Sequence, residues 1–395
     1  MKRQLSLIII LIFILSGCSS LKQVEKINID EYIYSGELKK AEKQLIMYLN
    51  TQKKDNQVRF ELGIIQFLLA IEGLAQTVYM YNPTATGRFL PFLRIPVPEN
   101  PEPKLITYSG FNDIFTDFSI NLAKAYVTFK QVEKSDVKVP IYLSHIQMDI
   151  NNDSMISDYE NLWNIYRFYN RNANELIKNP GELLVVFDYA DTFWFRGYCK
   201  LLVALCNIFT AYDYEKLFDY IAPYLFKNAY TYYQEEIDEM TLMLITKFKL
   251  KHKKNMNLAL EYLLEVLSLS RESWSEIMNE ADNDHEWIPG PGQNGAIPGI
   301  KISKEIVDGW IMFLDEAEKI LSGTRLVPVE GFTNIGKGIN INTIFMKPKD
   351  FDLVKLIMGK HNLPIETGEL TKPETWNRLN RIFGGEFIGF ALWFN

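Results

Sequence analysis

The chain has 395 residues, of which 47% are hydrophobic, and its 42 basic and 49 acidic side chains give a net charge of −7 at pH 7. This length suffices for two or three domains with packed cores. Proteins bind the phosphate backbone of nucleic acids through clustered Lys and Arg. The lysines between Lys249 and Lys254 are predicted to form only a solvated turn. The sequence therefore argues against nucleic acid as a partner.

The first residues have the pattern of an export signal. A charged start, Met1–Arg3, precedes an apolar block, Leu5–Leu15, that is too short to span a bilayer. Residues 15–18, Leu-Ser-Gly-Cys, then resemble the bacterial lipobox, which implies cleavage after residue 17 and lipid attachment at Cys18. The alternative is an unlipidated signal peptide with an incidental cysteine. Because Ser19 follows instead of Asp, the resemblance implies an anchor in the outer membrane, facing the periplasm or the cell surface.

A helical pattern runs from Ile27 to about Ala75. The small and apolar positions Gly36, Ala41 and Leu45, followed by Leu62-Gly63, faintly resemble a tetratricopeptide-type helical hairpin. This resemblance implies a helical-repeat accessory protein of a transport system. Simple amphipathic helices explain the same residues equally well.

Residues 82–103 hold six of the sixteen prolines, which forbid a helix and favour extended backbone. Their apolar content predicts a segment packed on the body. Arg88 and Arg94 are candidate anion-binding side chains in this loop, and a strut across a helical body is the alternative. An apolar stripe from Phe111 to Phe129 then predicts a long helix.

Residues 149–160 carry oxygen side chains at the spacing of an EF-hand calcium loop, which they resemble. A calcium ion takes six to eight oxygen ligands, supplied by loop positions 1, 3, 5, 7, 9 and 12. The alternative is an acidic surface turn. The ligands predicted here are Asp149, Asn151, Asp153, the backbone carbonyl of Met155, Ser157 (directly or through a water) and Glu160 as the bidentate ligand.

Several features of this loop and of the residues around it lead to further predictions. Ser154 stands at position 6, where the backbone needs φ > 0, and a residue other than Gly weakens the site. Ile156, at position 8, is expected to hold the loop against its neighbour. We expect a short entering helix, Ile141–Met148, and an aromatic exiting helix after residue 160. No second complete loop occurs in the sequence, which predicts a solitary, weak site of the extracellular kind.

The segment from Val185 to Tyr212 is strongly apolar and predicts the central buried helix, with Cys199 and Cys206 as small core residues. An acidic cluster precedes a rigid Pro/Gly turn at residues 289–292. Such a cluster could bind a divalent cation or supply an acid and a base, and a solvated loop is the alternative. Its candidate residues are Glu280, Asp282, Asp284, His285 and Glu286.

The aromatic C-terminal end, residues 383–395, is predicted to dock on the body. Several stretches together resemble a family of bacterial exported proteins of unassigned function that carry a single EF-hand loop, a resemblance that implies no particular reaction. The stretches are residues 94–101, 193–198, 286–289 and 391–395.

The sequence therefore predicts a mainly α-helical, multi-helix body with one EF-hand-like unit and a small irregular or α+β C-terminal segment. The first hypothesis is a lipid-anchored, calcium-stabilised binding or scaffold protein of the cell envelope, with a protein partner or small ligand near residues 82–103 and 280–293. The alternative is an envelope hydrolase that uses the acidic cluster. The predicted segments are a signal peptide (1–17), a helical hairpin region (18–80), a Pro-rich loop with a helix (81–138), the calcium unit (139–178), a helical core (179–325) and the C-terminal segment (326–395).

Overall fold

The computed structural model describes residues 25–90, 93–169, 177–230, 239–297, 301–329, 336–357 and 363–394. Over these residues the chain is mainly α-helical, which confirms the predicted fold class, and its strands are at most four residues long. In the same part of the chain, no helix combines the length and the apolar character needed to cross a lipid bilayer. The predicted signal peptide and Cys18 lie outside the described residues.

The elements are numbered in chain order. The helices are α1 (Ile29–Ile33), α2 (Leu38–Thr51), α3 (Asn56–Tyr81), α4 (Tyr108–Lys130), α5 (Leu162–Tyr169), α6 (Tyr189–Thr210), α7 (Glu215–Leu225), α8 (Glu239–Ile245), α9 (Lys253–Ile277), α10 (Lys304–Ser322), α11 (Ile341–Met346), α12 (Leu353–Ile357), α13 (Pro373–Ile382) and α14 (Phe387–Phe394). The strands are β1 (Val139–Tyr142), β2 (Leu184–Phe187), β3 (Tyr212–Asp213), β4 (Lys247–Leu250), β5 (Val327–Pro328), β6 (Lys337–Ile339), β7 (Phe351–Asp352) and β8 (Ile365–Thr367).

The core is built where α4 and α9 pack against α6 and α3 packs against α4. Phe129 of α4 stacks on Phe195 of α6, with ring centroids 4.8 Å apart and planes 10° apart. Gly63 allows this contact, because a Cβ at that position of α3 would collide with the Phe129 ring. Helix α6 is the predicted central helix, and both of its cysteines are buried and free, as expected.

The segment that enters the loop of residues 149–160 differs from its prediction. Residues 139–142 form a strand and residues 143–145 a single 3-10 turn, so the expected entering helix Ile141–Met148 is wrong. The strand pairs antiparallel with β2, with Val139 opposite Phe187. Its side chains alternate between buried and exposed, which suits a half-covered strand. The remaining strands form two small sheets, in the orders β3-β4-β7 and β5-β6-β8.

The Pro-rich segment lies on the body, as predicted. Among its described residues, 82–90 and 93–103, none is α-helical, and Gly87–Phe89 forms a 3-10 turn. Leu93, Ile95 and Val97 are buried, and Arg88 donates a hydrogen bond to the Val97 carbonyl at 3.2 Å. This internal contact of Arg88 supports the strut interpretation over anion binding.

The C-terminal end also docks as expected. Phe387, at the start of α14, packs edge-to-face on Phe313 of α10, with ring centroids 4.8 Å apart. Phe383 contacts the same Phe387 ring at 5.3 Å. The aromatic tail therefore extends the core over α10.

Candidate functional site

The loop of residues 149–160 is closed at its base by backbone hydrogen bonds. Gln147 and Asn161 form an antiparallel bridge, and the Met148 N–H donates to the Glu160 carbonyl at 2.9 Å. Met148 is fully buried, which fixes this base on the core. Helix α5 follows at Leu162, as predicted for the exiting helix.

Inside the loop, backbone N–H groups orient the predicted ligands. The two carboxylate oxygens of Asp149 accept from the N–H groups of Asp153 and Ser154, both at 3.1 Å. The amide oxygen of Asn151 accepts from the Asp153 N–H at 3.0 Å, and Asp153 Oδ1 accepts from the Met155 N–H at 2.8 Å. A carboxylate oxygen has about two acceptor positions, so each Asp149 oxygen keeps one position for a cation.

Two residues of the loop have left-handed backbone. Ser154 has φ +64°, the conformation predicted for position 6, and Asn152 has φ +60°. Asn adopts this region more readily than most residues because its short side chain bonds locally, whereas Ser has less such compensation. The strain at Ser154 is of order 1 kcal/mol, and it lowers the stability of the loop conformation.

Glu160 is the organising residue of the loop. It is fully buried, and Oε1 accepts from the N–H groups of Ile150 at 2.8 Å and Asn151 at 3.2 Å. Oε2 accepts from the N–H and the hydroxyl of Ser157, at 2.9 and 2.7 Å. These donors fill all four acceptor positions of the carboxylate. Bidentate coordination by Glu160 would therefore require the exchange of some of these hydrogen bonds.

Glu72 of α3 is a carboxylate next to the loop, and it was not among the predicted site residues. Its Oε2 accepts from the Asp149 N–H at 3.1 Å, and Gln76 donates to the Asp149 carbonyl at 2.7 Å. Burial raises the pKa of Glu72 to about 7, and the charges of Asp149 and Glu160 act in the same direction. The sequence feature that could have identified Glu72 is its position as a single acidic residue in an apolar stretch of helix.

The oxygen donors of the loop fit a hard cation such as calcium. Asp149, Asn151 and Asp153 supply only oxygen ligands, already oriented by the backbone, and Asp153 is exposed. Glu160 fits less well, because its hydrogen bonds compete with coordination. The weak affinity stays a prediction.

The acidic cluster of residues 280–286 is divided by the fold. Asp282 and Asp284 both pair with Lys138 ahead of β1, the former at 2.5 Å. His285 is exposed and has φ +63°. Glu280 and Glu286 instead come together with Asp188, so that one oxygen from each lies within 4.8 Å of the others.

Helix α6 brings Asp188 to this group of carboxylates. Asp188 is the N-cap of α6, accepting from the Ala190 N–H at 2.8 Å, and Asp191 accepts from the Asp188 N–H at 3.0 Å. A backbone hydrogen bond of 3.2 Å from Val186 in β2 to His285 holds the 280s loop alongside. The sequence signal for Asp188 was an acidic residue just before an apolar helix, which reads as a cap.

Burial and mutual repulsion oppose the ionisation of the carboxyl groups in this cluster and raise their pKa values. Burial, followed by the charge of Asp188, raises the pKa of Glu280 to about 8. Burial raises the pKa of Glu286 to about 7, and that of Asp191 well above its usual range. The hydrolase alternative stays a prediction; of its five candidate residues, Glu280 and Glu286 are the two that the fold groups with Asp188.

Comparison with known proteins gives no family assignment. No family model matches the chain, and neither curated proteins nor solved structures give a match.

Proposed function

We propose that residues 149–160 bind one calcium ion. The observation that supports this most is the convergence of Asp149, Asn151 and Asp153 within a loop whose own N–H groups orient their oxygens. The ligands would be the side chains of Asp149, Asn151, Asp153, Ser157 and Glu160 and the carbonyl of Met155.

The charge of the region supports a cation. Asp149, Asp153, Glu160 and Glu72 lie in or against the loop, and in the described part of the chain the one cationic group paired with any of them is Lys39, 4.0 Å from Glu72. A divalent ion would offset their mutual repulsion. Because the loop is bridged at its base, the ion would mainly stabilise structure already formed. We propose a scaffold or binding protein, anchored in the cell envelope through Cys18, that calcium stabilises.

Asp153→Asn is expected to weaken calcium binding by at least tenfold while leaving the fold intact. The amide still accepts from the Met155 N–H but no longer carries the negative charge. By calorimetry we expect one calcium per wild-type chain, with a dissociation constant of about 10⁻⁴ to 10⁻³ M. At a calcium concentration ten times the dissociation constant, the ion should raise the free energy of unfolding of the wild type by about 1.4 kcal/mol, which corresponds to about 2 °C in Tm.

The matched control is Asp158→Asn, which removes one charge from an exposed position of the same loop that is not a predicted ligand. It should retain calcium affinity to within about twofold. In chelator, Asp153→Asn should melt close to the wild-type temperature, because the relief of one like charge offsets the loss of the hydrogen bond from Asn151 Nδ2 to Asp153 Oδ2, which is 2.9 Å long. If wild-type melting curves in chelator and in calcium overlay, the proposal fails.

A further inference from the structure

The calcium loop is in contact with the N-terminal helical hairpin, residues 29–51. The Gln147 N–H at the base of the loop donates to the Ile33 carbonyl at 2.9 Å. The Tyr142 N–H donates to the Tyr34 hydroxyl at 2.9 Å, and the Tyr34 ring packs edge-on against His145 at 5.6 Å. The turn between α1 and α2 is thus bound along the segment that enters the loop.

Ile156 makes the contact from within the loop itself. Gly36, with φ +74°, forms the turn between α1 and α2, and a Cβ built there would lie 2.7 Å from Ile156 Cγ1. Any side chain at Gly36 would collide with Ile156. Position 8 of the loop, which in a paired EF-hand faces a second loop, here faces the hairpin.

Glu72 provides a second connection. One of its oxygens accepts from the Asp149 N–H, and the other lies 4.0 Å from Nζ of Lys39 on α2. The first ligand position and the hairpin therefore share one buried carboxylate.

We infer that calcium in this loop holds the N-terminal hairpin on the body, so that ion binding and hairpin docking are one linked equilibrium. This inference rests on the proposed calcium site. If the hairpin leaves, the loop loses the support of Ile33, Gly36 and Lys39, and the ion then binds more weakly.

Hydrogen exchange of the intact chain, with and without calcium, tests this linkage. At ten times the dissociation constant, an ion that binds only the docked state multiplies the protection of residues 29–51 by about 11. Amides of helix α10 that exchange by local opening, with the loop still folded, serve as an internal reference and should change by less than twofold. Calcium binding is measured on the same sample by calorimetry.

Ile156→Ala separates the linkage from the site. This variant keeps every predicted ligand, and Ile156 is 37% exposed, so the protein should fold. It should bind calcium with a smaller gain in hairpin protection, whereas the control Ile120→Ala, at a side chain of α4 that is 62% exposed and lies outside the loop and the hairpin, should behave as wild type. Calcium binding without any change in hairpin exchange would overturn the inference and leave the site standing. Equal gains in Ile156→Ala and wild type would also overturn it, and absence of binding would overturn both proposals.

Discussion

Replacement of Glu160 by Ala is expected to lower the free energy of unfolding by about 4 kcal/mol, in chelator as well as in calcium. The carboxylate is fully buried and accepts four hydrogen bonds, from Ile150, Asn151 and twice from Ser157. Removing a buried charged acceptor leaves its donors unsatisfied, at about 1–3 kcal/mol each before the loop relaxes and admits water. The loss should therefore be large even when no ion is bound.

Urea unfolding of the variant and the wild type, in chelator and in calcium, measures this effect. Asp158→Ala removes the same charge at an exposed position two residues earlier and should change stability by less than 0.5 kcal/mol. A Glu160→Ala effect that appears only in calcium would show that Glu160 acts as a ligand and not as the organiser of the loop.

The helical elements were largely predictable, because their signal is local. The apolar stripe from Phe111 to Phe129 lies within α4, and the run from Val185 to Tyr212 contains α6. Caps account for the boundaries: Asp188 caps α6, and Ser303 caps α10. Periodicity and caps act within a few residues, so one sequence suffices to find them.

The segment entering the loop could not be predicted in the same way. Residues 139–142 pair with residues 184–187, which lie more than forty positions away. Pairing with β2 selects the extended conformation for Ile141, although the local sequence is compatible with a helix. Strand propensity depends on the partner strand, and a single sequence does not name that partner.

The partners of both candidate sites come from distant parts of the chain. Glu72 reaches the Asp149 N–H from α3, and Asp188 reaches Glu280 from the start of α6. The spacing of residues 149–160 correctly identified a loop rich in oriented oxygens, but it did not reveal that Glu160 is already saturated by hydrogen bonds. Ligand spacing is a local property, whereas burial and electrostatics depend on the packed fold.

Glu280→Gln is expected to stabilise the protein at pH 8.5 and to have little effect at pH 5. In the unfolded chain Glu280 titrates near pH 4.5, and in the folded protein burial and the charge of Asp188 raise its pKa to about 8. Between these values the folded state binds more protons, so stability falls as the pH rises through this window. Glu280 is only partly buried, so solvent screening makes the free-energy effect smaller than the pKa difference alone would give. We expect Glu280→Gln to raise the free energy of unfolding at pH 8.5 by about 2 kcal/mol.

Urea unfolding at pH 5 and pH 8.5 measures this gain, and Asp282→Asn is the matched control. Asp282 carries the same charge two residues away, but its pKa is lowered by the hydrogen bond from Lys138. Removal of the Asp282 charge should therefore lower the free energy of unfolding slightly, by less than about 1 kcal/mol, at both pH values. The amide of Glu280→Gln can still accept from Gln293, which bonds the native carboxylate at 3.2 Å, so the loop should keep its shape. An unchanged pH dependence in Glu280→Gln would mean that Glu280 is ionised in the folded protein and that the three carboxylates are separated by water or bridged by a cation.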